Sequence, residues 1–183
     1  QRWGLSGSAV RCRRGAGVLT TTLGTGATGF VGSACTRRLS ASGIELHACA
    51  RARPDDLPAN VTFHAADLLD PGAAEALVES VRPSRLLHLA WIATPGSYWE
   101  SPENDEWVAC SQRLLEAFAD HGGKRVVVTG TCAEYDWTSP TPYSESKSPT
   151  GPTSSYGRAK DSLRRWAEDY ATARGVSVAW ARL

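Results

Sequence analysis

A glycine-rich turn near the start of the chain leaves few folds open to it. The stretch Gly26-Ala27-Thr28-Gly29-Phe30-Val31-Gly32 has the pattern G-x-x-G-x-x-G. An apolar run precedes it, an amphipathic pattern follows it, and a second apolar run begins roughly 20 residues further on. Glycines spaced in this way permit a tight turn, a close backbone approach to a pyrophosphate and a close contact between helix and strand. The stretch therefore predicts a strand–turn–helix unit that binds a dinucleotide; the alternative is a glycine turn without a ligand.

From residue 18 onward, short apolar runs alternate with helical patterns. The predicted strands are 18–24, 44–50, 61–67, 85–91, 124–131 and 176–183. The predicted helices are 30–43, 71–81, 101–123 and 155–175. Strands rich in valine, leucine and alanine, with helices between them, are typical of a parallel sheet covered on both faces. We therefore predict an α/β fold, a Rossmann-type doubly wound parallel sheet, over residues 18–183, after a disordered or foreign tail at 1–17.

In the first predicted helix, one apolar face is expected to pack on the sheet. Its members are Phe30, Val31, Ala34, Cys35 and Leu39. The remaining long segment, 132–154, is rich in serine, threonine and proline, which indicates a loop. A loop of that length in a compact domain is usually functional.

Composition argues against several other classes of protein. The formal net charge of +1 gives no broad attraction to nucleic acid or to an anionic membrane. No apolar run approaches the ~20 residues of a membrane span. The five cysteines include no closely spaced pair, so we expect no metal site and reduced thiols in a cytoplasmic protein.

The end of the second predicted strand bears on the choice of dinucleotide. A carboxylate at this point would bind the adenosine ribose hydroxyls and favour NAD. The chain has Ala50 and then Arg51, with Arg53 close behind. An arginine here can pair with a 2′-phosphate, so we predict that NADP is preferred over NAD. The alternative is that both arginines belong to a solvated turn.

Tyr156 and Lys160 stand four residues apart in the last predicted helix, so their side chains share one face. A free tyrosine has a pKa of about 10, too high for acid–base work at neutral pH. A lysine ammonium and an oxidised nicotinamide nearby would lower it. Thr131 could donate a hydrogen bond to the substrate oxygen that Tyr156 protonates. Such a pair also occurs by chance on exposed helices, but the glycine turn and Thr131 favour the catalytic interpretation.

The motifs TGATGFVG, AADLLD, LLHLAW, VVVTGTCAEYDW and SSYGRAK occur in that order. Together they resemble the extended short-chain dehydrogenase/reductase family, which includes NAD(P)-dependent epimerases, dehydratases and ketoreductases of nucleotide sugars. The resemblance covers about residues 18–183. Family members continue well beyond this point, so we expect a chain truncated at its C-terminus, without the substrate domain.

The resemblance implies roles for particular residues. The catalytic set is Thr131, Tyr156 and Lys160. The cofactor-binding set comprises Gly26, Thr28, Gly29, Phe30, Val31, Gly32, Arg51, Asp67, Leu68, Leu89, Ala90, Tyr156 and Lys160. The substrate-facing set is Thr131, Glu134 and Tyr135. Members often carry an asparagine in the helix after the fourth strand; here Trp107 and Ala109 occupy that part and Asn104 lies earlier, which disfavours a proton relay there.

The implied activity is hydride transfer between a nicotinamide and a keto-sugar carried on a nucleotide, in a reduction or an epimerisation. Cys132-Ala133 follow Thr131 where the dehydratases tend to have Asp-Glu, which disfavours 4,6-dehydration. The expected assembly is a homodimer, with no nucleic acid or membrane as partner. The alternatives are a non-catalytic dinucleotide-binding protein and an inactive fragment of such an enzyme. A binding protein that has lost turnover should lack part of the Thr/Tyr/Lys set, and this chain keeps all three.

Three tryptophans, Trp91, Trp99 and Trp137, fall near the ends of predicted strands. Indole rings in such places can stack on carbohydrate. Because aromatic side chains bury a large area in cores and loops, packing is the favoured interpretation.

Overall fold

The computed structural model describes residues 20–138 and 142–183. Its strands are β1 (Thr21–Thr25), β2 (Glu45–Ala50), β3 (Val61–Ala65), β4 (Arg85–His88), β5 (Arg125–Gly130) and β6 (Ser177–Arg182). Its α-helices are α1 (Phe30–Ser40), α2 (Ala73–Val81), α3 (Glu103–Asp120) and α4 (Ser155–Arg174). All strand pairs are parallel, in the order β3-β2-β1-β4-β5-β6. The predicted doubly wound α/β fold is therefore confirmed, and the predicted tail at 1–17 lies outside the described residues.

Each predicted helix and strand is present, and the differences lie at their ends. The fourth strand ends at His88, three residues before its predicted end at Trp91. The N–H of Leu89 still donates to the carbonyl oxygen of Thr25, at 3.3 Å. Beyond that bond the chain leaves the sheet and borders a cavity. Across the described ranges, no helix is both long enough and apolar enough to cross a membrane.

Helices cover the two faces of the sheet unequally. On one face, α2, α3 and α4 pack over the main core. Central members of that core are Leu23, Val78, Leu86, Leu114, Phe118, Val126, Val128 and Ala167. On the other face, a smaller cluster of Ala27, Leu46, Ala48 and Val61 packs with Leu39 of α1. Most of the buried apolar side chains therefore lie between the sheet and helices α2, α3 and α4.

The predicted apolar face of α1 is correct at Leu39, which packs on the core, and wrong at Phe30 and Ala34, which are exposed. The buried residues of the helix are Gly32, Thr36 and Ser40, whereas Phe30 is 97% exposed. The reason is the close approach of α1 to the glycine turn: a Cβ on Gly32 would lie 2.0 Å from the Gly26 carbonyl oxygen. Only a small residue fits at that contact, so small residues rather than large apolar ones mark the buried face.

Candidate functional site

A cavity of about 540 Å³ opens at the carboxyl ends of the central strands. It lies where the strand order reverses, beside β1 and β4, the usual ligand position in open α/β sheets. The sequence-predicted residues that line it are Gly26, Thr28, Gly29, Phe30, Val31, Gly32, Arg51, Asp67, Leu68, Leu89, Ala90, Thr131, Tyr156 and Lys160. The fold therefore brings residues from every predicted motif to one cavity.

The glycine turn forms one wall of this cavity. Gly26 has a φ of 69°, and a Cβ there would lie 2.7 Å from the Ala90 nitrogen. The Gly29 N–H donates to the Gly26 carbonyl oxygen at 3.0 Å, which closes the turn. Helix α1 then begins at Phe30 with no capping side chain and no acidic residue in its first turn. The positive end of α1 and a backbone without side chains fit a pyrophosphate group.

The residues predicted to bind adenosine lie beyond the ends of β2 and β3. Asp67 accepts a hydrogen bond from the Leu69 N–H through Oδ1, at 3.1 Å, and Leu68 is buried. Arg51 is exposed and lines the cavity, whereas Arg53 lies outside the lining with its guanidinium carbon 5.8 Å from the centre of the Phe63 ring. An acidic residue and an arginine therefore both border the end of the cavity that is predicted to bind adenosine.

Thr131 lies at the end of β5, at the start of a 3₁₀ turn over Cys132–Glu134. Its Oγ1 accepts a hydrogen bond from the Ala133 N–H at 3.2 Å, and its own N–H donates to Glu134 Oε1 at 2.8 Å. This reciprocal capping box fixes the backbone and the side chain of Thr131. A hydrogen bond with the Thr131 side chain is among the causes that lower the pKa of Tyr156, and both residues line the cavity.

Tyr156 occupies the first turn of α4, beneath an aromatic pair from a 3₁₀ turn at Tyr98–Glu100. Its ring meets Tyr98 and Trp99 edge to face, at centroid distances of 5.0 and 5.8 Å. Burial raises the pKa of Tyr156 above its ordinary value, and the hydrogen bond with Thr131 acts in the opposite direction. Burial is the larger effect in the chain alone, and the lowering predicted for Lys160 together with an oxidised nicotinamide stays a prediction.

Lys160 is almost fully buried, with 2% of its surface exposed. Its Nζ donates to the Thr129 carbonyl oxygen at 2.9 Å and lies 3.7 Å from the centre of the Trp91 ring. Burial lowers the pKa of Lys160 to about 7, although the negative charge of Glu134 raises it. Its charge is therefore sensitive to pH near neutrality.

Glu134 and Tyr135, predicted to face substrate, are not among the residues that line the cavity. Glu134 is fully buried, with Oε2 accepting from Arg182 Nε at 2.7 Å and Oε1 from Trp180 Nε1 at 2.9 Å. Tyr135 is 6% exposed and stacks on Tyr143. In this structure both residues join the 132–154 loop to its surroundings, and their contact with substrate stays a prediction.

Sequence reasoning missed a buried polar network beneath the cavity. His88 Nδ1 lies 2.8 Å from Thr25 Oγ1, and His88 Nε2 lies 2.8 Å from Ser111 Oγ. Because Ser111 donates its proton to the Trp107 carbonyl oxygen, His88 Nε2–H is the donor to Ser111 and Nδ1 accepts from Thr25. A histidine inside the apolar run LLHLAW was the available signal.

Comparison with known proteins agrees with this geometry. The model of the NAD dependent epimerase/dehydratase family matches residues 23–183. UDP-glucose 4-epimerase of Streptomyces lividans is 31% identical over 164 residues, which is 84% of this chain and 48% of that protein. UDP-glucose 4-epimerase 4 of Oryza sativa subsp. japonica is 29% identical over 160 residues, 79% of this chain and 43% of that protein.

Among solved structures, UDP-glucose 4-epimerase from Brucella ovis in complex with NAD superposes with a TM-score of 0.74 at 25% identity. The match covers 89% of this chain and 51% of that one. A UDP-glucose 4-epimerase from Thermotoga maritima, solved with UDP-glucose, has the same fold, with a TM-score of 0.76 and 22% identity. It covers 88% of this chain and 54% of that one. The chain spans about half the length of each of these four relatives.

Proposed function

Since the chain belongs to the NAD-dependent epimerase/dehydratase family, we propose that it is the dinucleotide-binding part of an enzyme that epimerises a sugar carried on a nucleotide. One observation carries the proposal: Thr131, Tyr156 and Lys160 line the same cavity as the glycine turn. The related proteins named UDP-glucose 4-epimerases suggest UDP-hexoses as the substrate class. Reduction of a keto-sugar would use the same residues and is the second outcome to test.

The residues divide between binding and proton transfer. The backbone at Gly26 and Gly29, with the start of α1, would hold the pyrophosphate. When bound, the nicotinamide supplies hydride transfer to and from the sugar carbon. Tyr156 would take the proton from the sugar hydroxyl and return it to the carbonyl oxygen. Thr131, which lines the same cavity as Tyr156, would hold that oxygen in place.

Protonation fits these roles. Because burial raises the pKa of Tyr156, the side chain is a proton donor at neutral pH. To act as a base it needs positive charge close by, which a protonated Lys160 would provide. The pKa of Lys160 is about 7, so we expect turnover to depend on pH in this range.

Two measurements on the chain test the proposal. The first is binding of NADH and NADPH, followed by energy transfer from tryptophan to the bound dihydronicotinamide. The second is the absorbance of reduced nicotinamide that UDP-glucose generates from the bound oxidised cofactor, together with formation of the epimer. Tyr156→Phe should keep cofactor binding and abolish both sugar-dependent signals.

Tyr170→Phe is the matched control, because Tyr170 lies on the same helix but stacks on Trp166 away from the cavity. It should behave as the unmodified chain does. Failure to bind either dinucleotide would overturn the proposal as a whole. Sugar-dependent reduction that survives in Tyr156→Phe would overturn the assignment of Tyr156 alone.

The homodimer expected from the resemblance is a separate part of the proposal. The α3–α4 side of the molecule carries a groove of small and polar residues, among them Val108, Ala109 and Ala159, on which a second copy could pack. Light scattering coupled to size-exclusion chromatography measures the assembly directly. A monomer at all concentrations would contradict this part and leave the enzymatic part standing.

A further inference from the structure

We propose that Trp91 is the residue that positions Lys160, by holding the lysine ammonium against the face of an indole ring that Asn104 fixes in place. The inference rests on the proposed function, because it gives a neighbour of Lys160 a role in the same site. Trp91 is the last residue of the run LLHLAW, three residues beyond the end of β4, and it lines the cavity.

The orientation of the Trp91 ring is determined at its edge and at its face. Its Nε1–H donates to Asn104 Oδ1 at 2.9 Å. Its face stacks on Trp107, with the ring centroids 6.0 Å apart and an interplanar angle of 28°. An indole held in both ways has little freedom to rotate, so the surface it offers to Lys160 is preset.

The hydrogen bonds of Asn104 define the orientation of its side-chain amide. It is 1% exposed, and its Nδ2 donates to the carbonyl oxygens of Tyr98 and Ser101, at 2.8 and 2.9 Å. Because two carbonyls can only accept, the amide nitrogen must face them and Oδ1 must face Trp91. Asn104 thus links the Tyr98–Glu100 turn, which packs on Tyr156, to the indole that packs on Lys160.

The ammonium group of Lys160 has three N–H donors. One is used by the Thr129 carbonyl oxygen at 2.9 Å, and the Trp91 ring takes a second direction at 3.7 Å. A cation over an indole face is attracted by the ring's electrons, and more strongly where water is excluded. These two neighbours, the Thr129 carbonyl oxygen and the Trp91 ring, fix the direction in which the third N–H of Lys160 points. A lysine that must reach a cofactor or a phenolate needs its free N–H to be oriented in this way.

The ionisable groups around Lys160 come from two other elements and from its own helix. Glu134, in the 132–134 turn, favours the charged lysine, and His88 in β4 is neutral because burial lowers its pKa to about 3. Tyr156 precedes it on α4. Burial opposes the charge of Lys160, so loss of the indole should lower the pKa of this lysine further.

The chain contains only three lysines, Lys124, Lys147 and Lys160, so labelling lysine with carbon-13 at Cε yields three resolvable titrations by NMR. Lys160→Met identifies the signal of Lys160. In Trp91→Leu, which keeps the site apolar, the midpoint of that signal should move down by about one pH unit. Trp91→Phe retains an aromatic face and should recover part of the shift. Asn104→Leu, which frees the indole, should give an intermediate shift.

Trp137→Leu is the matched control, since Trp137 is exposed and its indole donates to the Cys132 carbonyl oxygen. Its Lys160 midpoint should stay unchanged. A midpoint in Trp91→Leu that is unchanged or moves up would overturn the proposal, because a purely structural role for Trp91 does not require its π face. The NMR titration needs no cofactor, so its result is separate from that of the proposed function.

A measurement of NADH affinity connects the positioning role of Trp91 with the proposed role of Lys160 in cofactor binding. If Trp91 positions Lys160 for the cofactor, Trp91→Leu should weaken NADH binding several-fold and Trp91→Phe less. If Lys160→Met leaves NADH affinity unchanged, the proposed role of Lys160 fails and the positioning role fails with it. If Lys160→Met weakens binding and Trp91→Leu does not, only the positioning role of Trp91 is overturned.

Discussion

His88 is a residue whose chemistry is set by its surroundings. It is 1% exposed and lies between the hydroxyls of Thr25 and Ser111, so burial lowers its pKa from 6.5 to about 3. The folded chain therefore binds fewer protons at His88 than the unfolded chain does. By linkage, the contribution to stability is fully present above pH 6.5 and is lost as the pH falls toward about 3.

We expect the free energy of unfolding to decrease across that interval, as measured by urea denaturation at a series of pH values. In His88→Gln the part of the slope due to this residue should disappear, even if the variant is less stable at every pH. An identical slope in the two proteins would mean that His88 is already protonated in the fold, against the buried network described here.

Gly32 provides a second prediction at the same scale. Because a Cβ would come within 2.0 Å of the Gly26 carbonyl oxygen, Gly32→Ala must push α1 away from the glycine turn. We expect a loss of about 2 kcal/mol in the free energy of unfolding, together with weaker NADH binding. Gly24→Ala is the control. Apart from the residues next to Gly24 in sequence, the atom nearest to the added Cβ would lie 3.9 Å away, so stability should change little. Equal losses in the two variants would contradict the close approach.

At the scale of helices and strands, the sequence is informative because hydrophobic periodicity is a local property. Six strands and four helices follow from it. The buried face of α1 does not, since it is decided by the contact between Gly32 and Gly26 rather than by the hydrophobicity of Phe30 or Val31. Local sequence patterns therefore predict whether a segment is a helix or a strand better than they predict which residues it packs against.

Glu134 provides the prediction that belongs to this scale, since it joins three elements. Its carboxylate accepts from the Thr131 N–H, from Trp180 and from Arg182 of β6, and lies 3.9 Å from Arg164 of α4. Glutamine keeps one acceptor oxygen, but its amide N–H2 replaces the other acceptor with a donor and leaves the Arg182 guanidinium without its counter-charge. Glu134→Gln should therefore lower the free energy of unfolding by about 3 kcal/mol.

Glu168→Gln is the matched control, because Glu168 pairs with the same Arg164 but is half exposed. An exposed pair of this kind contributes less than about 1 kcal/mol. Denaturation curves for both variants decide the matter. If Glu134→Gln instead leaves stability intact and weakens UDP-glucose binding, the substrate-facing role predicted from the sequence is the better description.

At the scale of the whole molecule, the cavity could be anticipated in outline. The glycine turn, Asp67, Thr131 and Tyr156 are far apart in sequence, but each follows or borders a predicted strand end, and parallel strands bring those ends to one edge. The hydrogen-bond partners of His88, Asn104 and Trp91, beneath that edge, could not be anticipated. Their partners come from elements whose relative positions depend on packing across the whole sheet.

The choice between NAD and NADP is also a property of the whole site, since Arg51 and Tyr156 line one cavity although they are remote in sequence. We predict that Arg51→Asp weakens NADPH binding at least about tenfold, through loss of charge-assisted hydrogen bonds to the 2′-phosphate, with a smaller effect on NADH. Titrations monitored by tryptophan fluorescence give both constants. Arg53→Asp is the control, because Arg53 does not line the cavity. Tighter binding of NADH than of NADPH by the unmodified chain would contradict the predicted preference.

The contact between Gly26 and the end of β4 has a genetic consequence. Every missense change in the codon of Gly26 adds a Cβ, and that atom would fall 2.7 Å from the Ala90 nitrogen in a residue whose φ is 69°. No amino acid other than glycine avoids both the collision and the strained backbone. Random mutagenesis under selection for dinucleotide binding should therefore recover only synonymous codons at this position.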